Sequence, residues 1–179
     1  MFTFDINKLK MKDRTIVQID SDAATMFIMR VFNADVSAVW EHFSSKELLD
    51  RWWAPMPWKC ETDSLDFKEG GVWQYAMVGP QGERHHAGVR YNEIMFHRSI
   101  AWSDYFSDAS GNMDINKPVV DWLIGFTGVQ EGTKLTVNLH FKSAADMEEI
   151  IDTGFEEGFK AGLENLERSL EGGMQPGNV

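Results

Sequence analysis

The groups in this sequence that could do chemistry are five histidines, one cysteine and a scatter of acids, and their spacing narrows the choice. His85 and His86 are adjacent, so on a strand they point to opposite faces and cannot chelate one ion together. His42, His97 and His140 lack ligand spacing, and no Cys/His pattern suggests zinc, so no metal is expected. Cys60 has no sequence-local partner that would mark activation, and it reads as a strand residue that packs. No G-x-S-x-G nucleophile turn is present. Gly70-Gly71 falls between strands rather than opening a helix, so it is not a phosphate loop. No catalytic set and no cofactor emerge from these residues.

What remains is a set of polar groups on otherwise apolar strand faces. Asp104 shares a face with Ile100 and Trp102, His85 with Val89 and Tyr91, and Tyr75 lies between Trp73 and Met77. Buried polar groups need partners, which can be each other, ordered water or a ligand. Three of them amid aromatic residues match what a ligand pocket requires. Asp104 and His85 are also the candidate acid/base pair if the pocket is catalytic.

The elements that must position these residues follow from periodicity. Thr15 to Ile19 reads as a short edge strand and Thr25 to Phe32 as a strand apolar on both faces apart from Arg30. Asp35 is the expected N-cap of a short helix carrying Val36, Val39, Trp40 and Phe43. Ser44 and Glu47 suggest a capping box for a second helix, Lys46 to Trp53, stopped by Pro55 and Pro57. From Trp58 to Phe141 the pattern is strand-like, with turns at residues 68–71, 79–82 and 131–132 and a polar loop at residues 107–117. Within it, Gly88 suggests a bulge, residues 120, 122, 124 and 126 align on one face, and Leu135, Val137, Leu139 and Phe141 point inward.

The chain then reads as one long helix, roughly Ala144 to Leu170, capped by Ser143 and ended at Gly172-Gly173. Phe155, Phe159, Leu163, Leu166 and Leu170 form its apolar stripe. Gly154, Gly158 and Gly162 lie along one edge of that stripe, each costing about 1 kcal/mol relative to alanine. Two readings offset the cost: close packing against bare backbone, or room for a ligand beside Phe155 and Phe159. Strand, two short helices, antiparallel meander and long helix together imply an α+β fold with the helix on one sheet face.

Composition bounds the function. A length of 179 residues suits one domain, and seven tryptophans favour a large core or an aromatic-lined cavity. The net charge is −11, and residues 143–171 alone carry nine acids and two bases. This excludes nucleic acid and anionic membrane surfaces as partners. One cysteine, no basic-then-apolar leader and no long apolar run point to a soluble cytoplasmic protein. The tryptophan-rich stretch at residues 52–58 offers a contact for a homodimer if its rings are exposed.

The segment RVFNADVSAVWEHFSSKELLDRWWAP, with Arg30, Val39-Trp40, Leu48, Trp52-Trp53 and Pro55, resembles the opening signature of the START-like (SRPBCC) superfamily. The likeness is to its heat-shock-protein ATPase activator (AHSA1-like) branch. DFKEGGVW is similar to that branch's Gly-Gly hairpin, HHAGVRYNEIMFHRSIAWSDYF to its strand pair, EGTKLTVNLHF to its final strand and TGFEEGFKAGLENLERSL to its closing helix. The resemblance covers about Thr25 to Leu170. It implies the helix-grip fold, a curved antiparallel sheet wrapped around the C-terminal helix with a cavity between them. Asp35 stands where the branch usually has proline, and the chaperone-stimulating domain of the eukaryotic activators has no counterpart in the sequence, which counts against a chaperone partner.

The expected organisation is an extension at residues 1–24, a START-like domain at 25–171 and a tail at 172–179. The leading expectation is a non-catalytic module for a small hydrophobic or aromatic molecule. Its pocket would lie between Phe155, Gly158 and Phe159 on the helix and Trp73, Tyr75, Tyr91, Trp102 and Trp122 on the sheet, with Asp104 and His85 as polar anchors. A cyclase, lyase or hydrolase using Asp104 or His85, and a chaperone co-regulator meeting its partner through the acidic helix, are the alternatives.

Overall fold

The computed structural model describes residues 15–172, so most of the expected N-terminal extension and the tail beyond Gly172 lie outside the described residues. Eight antiparallel strands form one curved sheet: β1 (Thr15–Asp20), β2 (Thr25–Phe32), β3 (Lys59–Leu65), β4 (Val72–Val78), β5 (Arg84–Met95), β6 (Ser99–Phe106), β7 (Val120–Val129) and β8 (Gly132–His140). Their order is β1-β2-β8-β7-β6-β5-β4-β3. The chain therefore leaves β2 near one edge, crosses to the far edge, and meanders back until β8 lies beside β2. The crossing is made by α1 (Val36–Ser44) and α2 (Lys46–Trp52). Two further helices, α3 (Ala144–Asp152) and α4 (Phe155–Glu171), close the chain.

Strand alternation sets the inward face. Register then aligns Tyr91, Trp102, Trp122, Leu139 and Met26 in one row across β5, β6, β7, β8 and β2. All five are buried. The next row places Asp104 between Val89 on β5 and Val120 on β7. A β5 bulge lies between Tyr91 and Glu93, not at Gly88. Gly88 serves a different need: a Cβ there would sit 2.4 Å from the Tyr105 ring.

Local capping chemistry places the helices. Asp35 accepts from the Ala38 N–H at 2.8 Å and starts α1 as expected. Ser44 is the last residue of α1, and the N-cap of α2 is Ser45, whose side chain makes no capping bond, so the capping box expected from Ser44 and Glu47 does not form. The expected single C-terminal helix is two helices. Ser143 caps α3, but the chain breaks at Thr153 and Gly154, where Gly154 adopts φ +84° and begins α4. Only glycine takes that left-handed conformation at little cost. The apolar period runs on across the break, so the pattern alone looks continuous.

The three glycines thus do three things. Gly154 turns the chain. A Cβ on Gly162 would lie 3.4 Å from the Trp52 and Trp53 carbonyl oxygens, so α4 packs its bare backbone on the end of α2. A Cβ on Gly158 would meet only Pro55 Cγ, at 3.7 Å, an ordinary contact. Alanine should therefore have opposite effects at two of them. We expect Gly158→Ala to stabilise by about 1 kcal/mol through helix propensity, and Gly154→Ala to destabilise by about 1–2 kcal/mol through left-handed strain. Urea unfolding of the two variants, read against the wild type, checks both signs.

Side-chain ties hold α4 in place. Arg30, buried on β2, meets Glu167 at 2.5 Å. The Asn165 amide donates to the Ala54 carbonyl at 2.9 Å, and His42 Nε2 lies 2.8 Å from Ser169 Oγ. Burial holds the His42 pKa below its usual value, opposed by the Ala38 carbonyl, so this is a neutral structural imidazole.

The expected tryptophan contact for a homodimer does not exist on the surface. Trp52 and Trp53 are buried, Trp58 is half-buried against His85, and the large exposed side chain of that stretch is Met56. The Trp52 indole donates to the His42 carbonyl at 2.7 Å, which turns it into the core.

Candidate functional site

Trp53 divides the interior. It follows the last turn of α2 and projects between sheet and helix, with ring centroids 5.2 Å from Trp73, 5.7 Å from Trp102, 5.8 Å from Trp122 and 6.1 Å from Phe159. These edge-to-face and tilted arrangements suit the ring quadrupoles. Behind Trp53 the space is solid: Trp73, Tyr91 and Trp102 have no exposed surface. The Trp73 indole is already committed, donating to Thr62 Oγ1 at 3.0 Å, while Thr62 Oγ1 itself donates to Asp50 at 2.6 Å.

In front of Trp53 a cavity of about 410 Å³ remains. That is within the range of small-molecule sites, roughly 300–1,000 Å³. Its sheet wall includes Tyr75, Asp104 and Trp122, and its helix wall Phe155, Gly158 and Phe159. Phe155 and Phe159 stack with centroids 5.6 Å apart, and Trp122 meets both edge-on, at 5.8 and 5.3 Å. His85, Thr153 and Gly154 are its exposed lining residues and mark the mouth. Two other recesses, near the β1–β2 turn and beside α2, are open surface hollows away from this aromatic wall.

Seven of the ten residues expected at the pocket border this cavity: Tyr75, His85, Asp104, Trp122, Phe155, Gly158 and Phe159. Trp73, Tyr91 and Trp102 do not reach it: Trp53 packs against Trp73 and Trp102, and Tyr91 lies against Trp102 and Phe67. Trp53, Pro55 and Met77 are lining residues that sequence reasoning did not assign. A signal for Trp53 existed. Successive helical residues diverge by about 100°, so Trp52 and Trp53 cannot both fill the same stripe of a short helix.

The polar groups have distinct surroundings. Asp104 is half-buried, and its carboxylate completes no hydrogen bond among the described residues. Burial pushes its pKa up to about 7; the nearby Trp122 indole opposes the rise and the Asp121 charge adds to it. That indole N–H comes close without completing a hydrogen bond. Burial also raises the Tyr75 hydroxyl well above its usual value, helped by the negative charge of Asp104, so Tyr75 is neutral. Cys60 is buried, and burial, with Asp50 next in effect, raises its thiol far from thiolate formation. It packs, as expected from the sequence.

Asp104 and His85 share the cavity but are not a pair. Asp104 sits across from Val89, and His85 lies four residues before Val89 on β5. Four strand residues span about 13 Å. His85 is at the mouth, its ring 5.1 Å from that of Trp58. Among the described residues no three His, Cys, Asp or Glu side chains gather to hold a metal ion.

A curved antiparallel sheet closed by a C-terminal helix over a lined cavity defines a START-like helix-grip protein. The family described as "Activator of Hsp90 ATPase homolog 1-like protein" matches residues 33–171, and the chain belongs to that family. The fold is similar to that of protein Ms6760 from Mycobacterium smegmatis, with TM-score 0.81, 24% identity, and coverage of 92% of this chain and 98% of that one. A solution structure from Arthrobacter aurescens gives TM-score 0.83 at 24% identity, over 92% and 98% of the two chains. The AHSA1 protein from Silicibacter pomeroyi gives 0.67 at 19% identity, over 83% and 98%. No curated protein matches the sequence. Among the described residues no helix is long and apolar enough to cross a membrane.

Proposed function

We propose that this protein is a non-catalytic binding module for a small, mostly apolar or aromatic molecule held between the sheet and α4. The observation that carries the reading is the cavity itself. About 410 Å³ stays open although tryptophan, tyrosine and phenylalanine rings border it, and a glycine rather than a larger residue faces it from α4. Open apolar volume forfeits packing energy that a larger side chain at residue 158 would recover. A ligand recovers it instead. The enzymatic alternative is weakened by the separation of Asp104 from His85, which leaves the carboxylate without the expected relay partner.

The test is a thermal-shift and tryptophan-fluorescence titration of the wild type with uncharged two-ring and three-ring aromatic compounds. Several of them should quench the tryptophans and bind in the micromolar range. A compound at a hundred times its Kd should add about 2.7 kcal/mol of stability, a shift of several degrees. If no compound in such a panel changes either signal, the binding reading is wrong.

A further inference from the structure

We propose that the preferred occupant of this cavity is an organic monocation, an amine carried on an apolar or aromatic body, with its ammonium against Asp104. This rests on the cavity being a binding site, and it adds the charge of what binds there.

The carboxylate is the starting point. Asp104 lies between Val89 and Val120 in the sheet, faces the cavity, and completes no hydrogen bond among the described residues. A carboxylate withdrawn from water needs a positive partner or a proton. Among the described lining residues no lysine or arginine supplies that charge. Of the cavity's titratable neighbours, β4 contributes Tyr75, β5 contributes His85 and His86 and β6 contributes Tyr105, while Asp121 on β7 acts on Asp104 with the same sign of charge. From the other elements come Trp53 and Pro55, Leu139, Ile150 and Thr153, and from α4 only glycine and phenylalanine, none of which titrates. The histidines apart, no basic side chain of the described residues borders the space.

The rings supply the second half of the argument. Trp53, Tyr75, Trp122, Phe155 and Phe159 surround the same volume. Aromatic faces attract ammonium groups, most strongly when desolvated. An anionic ligand would meet none of this: it would face Asp104, the negative edge of the local field and a protein of net charge −11. An uncharged ligand would fit the apolar walls but leave the carboxylate unmatched.

Proton linkage follows. With the cavity free of cation, burial lets Asp104 keep its proton up to about pH 7. An amine that stays charged across this range needs the ionised form, so below that pH its binding must expel the proton to solvent. Amine affinity therefore rises with pH until Asp104 is ionised in the free protein, and then levels.

The experiment uses three ligands with one aromatic body: 1-naphthylmethylamine, 1-naphthylmethanol and 1-naphthoate. Each is titrated into the full chain from pH 5.5 to 8 and followed by calorimetry. The amine should bind at pH 8 about tenfold more tightly than the alcohol, weaken more than tenfold on going to pH 5.5, and release a proton at the lower pH. The naphthoate should bind most weakly. Asp104→Asn should erase the difference between amine and alcohol. An alcohol that equals or exceeds the amine at pH 8, or an amine whose affinity does not fall with acid, overturns the cation assignment while leaving the binding site standing. Binding of none of the three, with none of the uncharged panel binding either, removes the site itself and this inference with it. The pH series on the wild type decides the question even if the variant does not fold.

Discussion

Replacing Trp53 with alanine is expected to destabilise the protein by about 3–5 kcal/mol, while Trp53→Phe should cost roughly 1 kcal/mol or less. The difference is a matter of what each change removes. Alanine deletes the ring that touches Trp73, Trp102, Trp122 and Phe159 at once, and joins the open cavity to the space in front of the buried rings. Truncating a buried aromatic costs its transfer energy plus the void it leaves. Phenylalanine keeps most of the contact and also removes a buried indole N–H that completes no hydrogen bond. Leaving such a donor unpaired costs about 1–3 kcal/mol, so losing it offsets part of the lost area. Domains of this kind are stable by only about 5–15 kcal/mol, so the alanine variant should show a large drop in urea midpoint. The same variant, if it stays folded at 10 °C, should accept bodies one ring larger than the wild type does. Equal midpoints for the two variants would show that Trp53 is not the partition between core and cavity.

That partition also marks how far the sequence could be read. Strand faces were legible where apolar and polar residues alternate, as they do along β8, and the inward residues named from that pattern, Leu135, Val137 and Leu139, are buried. Period two tells which side a ring is on. It does not tell how deep the ring lies or what stands between it and the helix. Tyr91 and Trp102 are on the inward face as expected, yet Trp102 is covered by Trp53, just past the end of α2 and some 50 positions earlier in the chain, and Tyr91 lies against Trp102. That contact has no local signature.

The C-terminal helix shows the other limit. Its apolar stripe, its acidic outer face and its glycines were all visible, and the stripe from Phe155 to Leu166 packs as the spacing requires. The break at Gly154 was not visible, because a left-handed turn can preserve the helical phase of the residues on either side. Three identical residues at equal spacing therefore carry three separate meanings, and only their neighbours in space tell them apart.

Gly158→Leu is the variant that bears most directly on function. A side chain at this position starts 3.7 Å from Pro55 Cγ, with the cavity on the same side. Helical leucines adopt the two rotamers that lay the side chain back over the preceding turn. Here that turn begins at Gly154, itself a lining residue with no Cβ to block the way. The four added carbons therefore enter the cavity rather than solvent. Displacing about 100 Å² of ligand contact at about 25 cal/mol per Å² costs about 2.5 kcal/mol, on the order of fiftyfold in affinity. The fold should not suffer: leucine is a far better helix former than glycine, and filling empty volume adds packing, so the melting temperature should rise by a few degrees. Loss of binding together with a gain in stability is an unusual combination, and it separates an occupied cavity from a damaged one. Calorimetry with any ligand that binds the wild type, beside a melting curve of each protein, reads both quantities. Unchanged affinity in a stabilised Gly158→Leu protein would mean that ligands bind somewhere other than beneath α4.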